Sequence, residues 1–298
     1  MTSDAAISCR HRLERGAPTA VSKGEILDFR SPYTQQQQEF RAAVRAWLVQ
    51  HFPRDLKIPP DGSPLDAENQ AKVKTFRRML GEKGWLAPSW PRELGGGGLT
   101  SGLDVVLMEE MRRMPLPSMG DNNRWVPAMM VWGTDEQKAR FIPSCLKGES
   151  ITWQCFNEPG SGSDFASVST YAVPEGDGWV INGEKAFITG RFDPDYLITL
   201  ANTGHDRPRR MNLGVFMVDA SSPGIEIRNM RLLMGSERRV KFDNVFVPDD
   251  CRIGPPYQGW EIAMTVIEAE RGGVAFRISE DGTIESIYQY LRDQRNDQ

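Results

Sequence analysis

The chain changes texture after Gly148, and that change most limits how it can fold. Before it, apolar residues recur at three- and four-residue spacing. After it, short alternating runs are separated by Gly, Asn and Asp. Phe40, Val44, Trp47 and Leu48 follow the helical period, and Pro53 ends that run. Asp66 to Lys83, Ser101 to Met114 and Asp121 to Trp132 carry the same spacing, and Thr134 stands where an N-cap would open a helix over Asp135 to Leu146. Beyond Gly148, Glu175-Gly176-Asp177-Gly178 precedes Trp179-Val180-Ile181, Asn182-Gly183 precedes Glu184 to Thr189, and Ser222-Pro223-Gly224 precedes Ile225-Glu226-Ile227. Asp-Gly and Asn-Gly between such runs predict hairpins. Helical texture returns from Gln258. The fold class is α+β. Residues 1–33 are expected to form a polar, flexible extension and 34–148 an all-helical domain. An antiparallel β domain follows over 149–250, and a short C-terminal helical segment over 251–298.

Composition narrows the function. With 298 residues the chain can build about two cores, and 39% hydrophobic with 26% charged residues is ordinary for a globular protein. The net charge of -4 supplies no field for nucleic acid or anionic lipid. Cys9, Cys145, Cys155 and Cys251 are too scattered for a metal knuckle, which points to a reducing, cytoplasmic setting. No stretch has the length of a membrane span, and His11, His51 and His205 show no metal-ligand spacing.

The chemistry concentrates in two segments. Cys155-Phe156-Asn157-Glu158-Pro159-Gly160-Ser161-Gly162-Ser163-Asp164 offers backbone N–H groups without bulky side chains, so a carbonyl-rich or anionic ligand can approach the main chain. In Ile181-Asn182-Gly183-Glu184-Lys185-Ala186-Phe187-Ile188-Thr189, a strand would place the Phe187 ring and the Thr189 hydroxyl on one face. On a helical wheel over Gln258 to Val274, Trp260, Ala263, Ile267 and Val274 share a face, while Glu261, Thr265 and Glu268 oppose it. Glu270 falls inside the apolar face, where desolvation would suit it to general-base work. Arg207, Arg209 and Arg210 read as solvated loop charge. Either that cluster or Arg238, Arg239 and Lys241 has the charge to meet phosphates.

These segments resemble the acyl-CoA dehydrogenase family, whose flavin-binding region reads Glu-Pro-Gly-Ala/Ser-Gly-Ser-Asp and then Asn-Gly-x-Lys-x-Trp/Phe-Ile-Thr. The similarity runs from about Tyr33 to Arg271 and includes Gly133-Thr134-Asp135-Glu136-Gln137-Lys138 and Glu268-Ala269-Glu270-Arg271. The resemblance implies FAD-dependent α,β-dehydrogenation of an acyl-CoA thioester, with electrons leaving to an electron-transfer flavoprotein or similar acceptor. It implies Phe156, Asn157, Ser163, Phe187 and Thr189 at the cofactor, Ser163 and Arg271 at the substrate, and Glu270 as the base. A homo- or hetero-oligomer is implied as well. Asn157 and Phe187 stand where the family more often has Thr and Trp. Two alternatives keep the same fold: a partner subunit without catalysis, and an oxidase that yields peroxide. Because the family's C-terminal bundle is longer, Trp260, Ile267, Ile287 and Leu291 are expected to be partly exposed, and the chain to hold its cofactor weakly without a partner.

Overall fold

A computed structural model describes residues 33–57, 59, 64–114, 124–190, 192–233 and 236–273. Five helices come first: α1 Gln35–His51, α2 Ala67–Glu82, α3 Ser101–Arg112, α4 Val126–Trp132 and α5 Asp135–Leu146. Local chemistry sets their starts. The Asp66 carboxylate accepts from the Asn69 backbone N–H, and Thr134 forms a full capping box with Gln137, satisfying donors that a helix start leaves bare. The expected helix from Asp121 starts at Val126 within the described residues; 121–123 lie outside them.

Val44, Leu48, Phe76, Leu80 and Leu107 close a helical core, against which Phe40 and Trp47 pack. Glu110 of α3 is buried beside it and receives two bonds of 2.8 Å from the Arg45 guanidinium of α1. That bond and the charges of Arg113, Arg45 and Arg41 hold the Glu110 carboxyl below its ordinary range against the opposing effect of burial.

Eight strands follow: β1 Thr152–Cys155, β2 Tyr171–Glu175, β3 Gly178–Ile188, β4 Tyr196–Asn202, β5 Leu213–Asp219, β6 Ile225–Arg231, β7 Ser236–Pro248 and β8 Arg252–Ile253. They form one sheet in the order β6-β7-β3-β2-β4-β5-β8, mostly antiparallel, with β1 joining β4 in parallel. β4 and β5 are buried almost throughout, in keeping with runs that are apolar apart from Thr199, because both faces are covered. A second core runs from Trp125, Met129, Phe141 and Leu146 of the helices into Trp153, Leu197, Phe216 and Val245 of the sheet. The 148/149 boundary therefore separates textures while the core runs across it.

The Gly176-Asp177 turn joins β2 to β3, as expected. Asn182-Gly183 is different. It lies inside β3, where two steps from Ile181 to Gly183 match three along β7 from Val245 to Phe242, so the pair faces a bulge in β7 and makes no hairpin. Gly183 has φ +143°, and a Cβ there would lie 2.5 Å from Thr170 Oγ1 and 2.6 Å from Thr170 Cα. Gly183→Ala must move backbone as well as adopt a strained φ. Its cost is expected to be on the order of 1–3 kcal/mol, and a urea midpoint equal to that of the natural chain would refute this account of the bulge.

Beyond the sheet, α6 Gly259–Glu268 continues into a π-turn at Ala269–Gly273. Ile262, Ala263, Val266 and Ile267 are buried, so the expectation of an exposed Ile267 does not hold. Trp260 is half-buried, with the Arg210 guanidinium 4.6 Å from its ring centre. Ile287 and Leu291 lie outside the described residues. No described helix is long and apolar enough to cross a membrane.

Candidate functional site

Glu158 and Ser161 exchange backbone bonds of 2.7 and 3.2 Å around Pro159-Gly160, which folds the glycine-rich segment into a tight turn. A Cβ at Gly160 or Gly162 would meet nothing within 4 Å, so both open onto unfilled space. Among the described residues, the backbone N–H groups of Gly160, Gly162 and Ser163 serve no internal hydrogen bond. Ser163 is exposed. The neighbouring hydroxyls of Ser161 and Ser167 both donate to the Asp164 carbonyl.

This turn is fastened to β3. The Ala186 N–H donates to the Asn157 carbonyl at 3.0 Å, and Lys185 Nζ reaches the Phe156 carbonyl at 3.3 Å and Glu158 Oε1 at 2.8 Å. Glu158 also accepts from the Ser169 N–H, the Ser169 hydroxyl and the Thr170 N–H at 2.6–2.8 Å. Both charges are shut off from water, with side-chain exposures of 0% for Lys185 and 2% for Glu158. Burial alone would push the Glu158 carboxyl up. The Lys185 charge and the bonds from Lys185 and Ser169 outweigh it, and the group is held down at about 2. Burial likewise pulls the Lys185 ammonium down, opposed by Glu158.

That depression ties acid stability to the pair. The carboxyl titrates lower in the folded chain than in the unfolded one, where its ordinary value is 4.5. Its stabilisation is therefore complete above about 4.5 and lost as pH falls toward about 2. Urea midpoints measured from pH 6 to pH 2.5 should drop less steeply for Glu158→Gln than for the natural chain. Parallel curves would remove this pair from the acid response.

Beyond the pair, three steps along β3 from Lys185 to Ile188 match two steps along β7 from Val240 to Arg238. Phe187 takes the extra residue, with φ +57°, and stands 46% exposed. Ile188 is buried, and Thr189 is exposed with its hydroxyl donating to Glu237 Oε1 at 3.2 Å. Phe156 is buried beneath the turn, and Asn157 is half-buried. The structure thus gathers Phe156, Asn157, Phe187 and Thr189 around one loop-strand junction.

Glu270 lies apart, at the end of α6. Its carboxylate accepts from Arg124 Nη1 at 2.6 Å and its side chain is 36% exposed. The expected placement in an apolar face is corrected. From Ala269 the chain winds as a π-turn, so a wheel built on 3.6 residues per turn no longer tells which way Glu270 faces. Arg271 and Glu268 are exposed. α4 is tied to α6 by the Trp132 indole N–H, which donates to Thr265 Oγ1 at 3.1 Å.

The arginine loop between β4 and β5 is also not simply solvated. Arg207 stacks 3.5 Å from the Tyr257 ring centre, Arg210 stacks on Trp260, and Arg209 pairs with Asp164. In the second cluster, Arg239 pairs with Glu184 and Lys241 with Asp243, while Arg238 is buried.

A helical layer shares its core with a largely antiparallel sheet, and an open glycine turn is fastened to the strand that carries an exposed aromatic, which defines an α+β chain. Residues 34–149 match the acyl-CoA dehydrogenase N-terminal domain and residues 154–245 the acyl-CoA dehydrogenase middle domain. The chain belongs to the acyl-CoA dehydrogenase family. It is 34% identical over 263 residues to acyl-CoA dehydrogenase FadE34 of Mycobacterium tuberculosis, covering 86% of this chain and 37% of that protein. To acyl-CoA dehydrogenase IpdE1 of the same organism it is 31% identical over 245 residues, covering 80% of this chain and 64% of that one. The chain therefore spans roughly one to two thirds of these relatives. Among solved structures, the Tcur3481-Tcur3483 steroid ACAD superimposes with a TM-score of 0.70 at 29% identity, covering 90% of this chain and 69% of that one. The ChsE4-ChsE5 complex from Mycobacterium tuberculosis gives 0.67 at 26%, covering 80% and 61%.

Proposed function

We propose that the chain takes part in FAD-dependent α,β-dehydrogenation of an acyl-CoA thioester. The observation that carries this reading is the junction itself: unfilled space at Gly160 and Gly162, backbone donors without internal partners, and the exposed Phe187 ring two residues before the exposed Thr189 hydroxyl. These residues fit a flat ligand with an acceptor-rich edge. Phe187 would pack on the ring, and Phe156 and Asn157 would brace the turn below it. The Thr189 hydroxyl would turn from Glu237 to donate to the ligand. Bound FAD supplies the hydride acceptor for the β-carbon. Glu270 would take the α-proton onto its carboxylate, held in place meanwhile by Arg124. Ser163 and Arg271, both exposed, would meet the polar coenzyme A portion of the substrate.

Electrons would pass on to an electron-transfer flavoprotein or a similar acceptor. Cys145, Cys155 and Cys251 are buried as thiols, which supports a reducing, cytoplasmic setting. A second reading draws on the Arg124–Glu270 ion pair, since a Glu-Arg pair of this kind is often structural. In it the chain is a partner subunit of a hetero-oligomer, a reading to which the similarity to a complex of two named proteins, ChsE4 and ChsE5, lends support.

The visible spectrum of the purified full chain loaded with FAD, before and after anaerobic addition of acyl-CoA thioesters, tests cofactor and chemistry together. Because one structural neighbour is a steroid ACAD, a ring-bearing thioester is the first to try beside straight-chain ones. Bleaching of the flavin supports dehydrogenation, flavin bound without bleaching by any thioester favours the partner subunit, and failure to take up FAD refutes the cofactor assignment. Thr189→Val removes a donor while nearly keeping volume, so it should shift the flavin potential with little change in stability. An unshifted potential and affinity would take Thr189 out of the site.

A further inference from the structure

We propose that the buried Glu158–Lys185 ion pair fixes the register and aim of Phe187, making Glu158 and Lys185 positioning residues for the flat ligand that Phe187 faces, which on the reading above is the flavin ring. Strand alternation by itself would put Lys185, Phe187 and Thr189 on one side of β3. The structure does otherwise: Lys185 is fully buried, while Phe187 and Thr189 are exposed. The parity changes at the bulge between Lys185 and Ile188, and the ion pair sits at its edge.

A one-residue slip would turn the whole segment over, carrying the lysine out of the core and Phe187 into it. Such a slip leaves Glu158 buried without its countercharge, so the pair opposes every register but this one. A single buried polar residue specifies register in coiled coils, at some cost in stability. Further bonds stiffen the device. Asn157 accepts from Ala186, Phe156 accepts from Lys185, and Glu158 is gripped by Ser169 and Thr170, so the glycine turn and the Phe187 bulge move as one unit. A bulge that re-aims a side chain and a left-handed backbone at a bulky residue are both features that persist where the surroundings enforce them.

The test replaces both charges by apolar groups, Glu158→Leu with Lys185→Met, in the full chain. A buried pair exchanged for apolar side chains of similar volume often keeps stability. The double variant is expected to unfold cooperatively near the natural urea midpoint. In the ligand-free protein, amides of Ala186 to Thr189 should exchange with deuterium on the order of tenfold faster, and FAD bound to the variant should show an altered visible circular dichroism band. Natural exchange rates at 186–189 with an unaltered band would overturn the proposal. Should the double variant fail to fold, Glu158→Asp, which shortens the reach by one methylene, carries the same two readouts, and Glu158→Asp indistinguishable from the natural chain overturns the proposal equally. Exchange is read without ligand. A natural chain that binds no FAD therefore removes the flavin reading, while the exchange rates alone decide the role of the pair.

Discussion

Lys185→Met, made alone, is expected to destabilise the chain by about 3–5 kcal/mol, the cost of leaving a buried carboxylate without its countercharge. Glu158 cannot move to water: its side chain is 2% exposed and its oxygens are held by Ser169 and Thr170. Adding Glu158→Leu to Lys185→Met should restore most of the loss, because the uncompensated charge disappears with its partner. Urea unfolding of the two single variants and the double variant gives the coupling directly. Additive losses would show that the charges act independently. That result would contradict the 2.8 Å contact on which the architecture of the site depends.

Glu270→Gln is expected to slow flavin reduction by acyl-CoA by a factor on the order of 10² or more while ligand binding survives, since the amide keeps the shape but cannot accept the proton. The Arg124 contact sharpens the expectation. The amide oxygen that replaces the Glu270 carboxylate would still accept a hydrogen bond from Arg124, so a collapse of the local structure is not the expected cause of the rate loss. Glu268→Gln serves as the comparison, because Glu268 is exposed at the last turn of α6. If reduction runs at the natural rate in Glu270→Gln, the base lies elsewhere and the Arg124–Glu270 pair is structural. If Glu268→Gln alone abolishes it, the base has been placed on the wrong side of the helix.

Much of the fold was legible in the residues because its signals are local. The Thr134 cap acts over three residues, the 3.6-residue period of α1 places Val44 and Leu48 inward, and Gly176-Asp177 makes its own turn. The two motifs of the candidate site were legible for the same reason: unhindered glycine backbone in one, and an aromatic and a hydroxyl two residues apart in the other. Chemistry of that kind survives whatever the rest of the chain does.

What the tertiary structure alone decided is where each of these features sits and what it meets. Asn182-Gly183 carries the residues of a hairpin, yet β3 continues through it because β7 offers an unbroken partner from Ser236 to Pro248, and a bulge absorbs the misfit. Strand parity keeps Lys185 on the buried side of β3 with Ile181, where Glu158 meets it from 27 residues earlier in the chain, and only the second bulge turns Phe187 outward. The wheel that placed Glu270 assumed a helix that the π-turn at Ala269 ends, and its partner Arg124 lies 146 residues away. Sequence determines backbone preference over a few residues, because propensities and caps act at that range. Pairing of buried charges and strand register depend on contacts between distant segments, whose energies exist only once the core has closed around them.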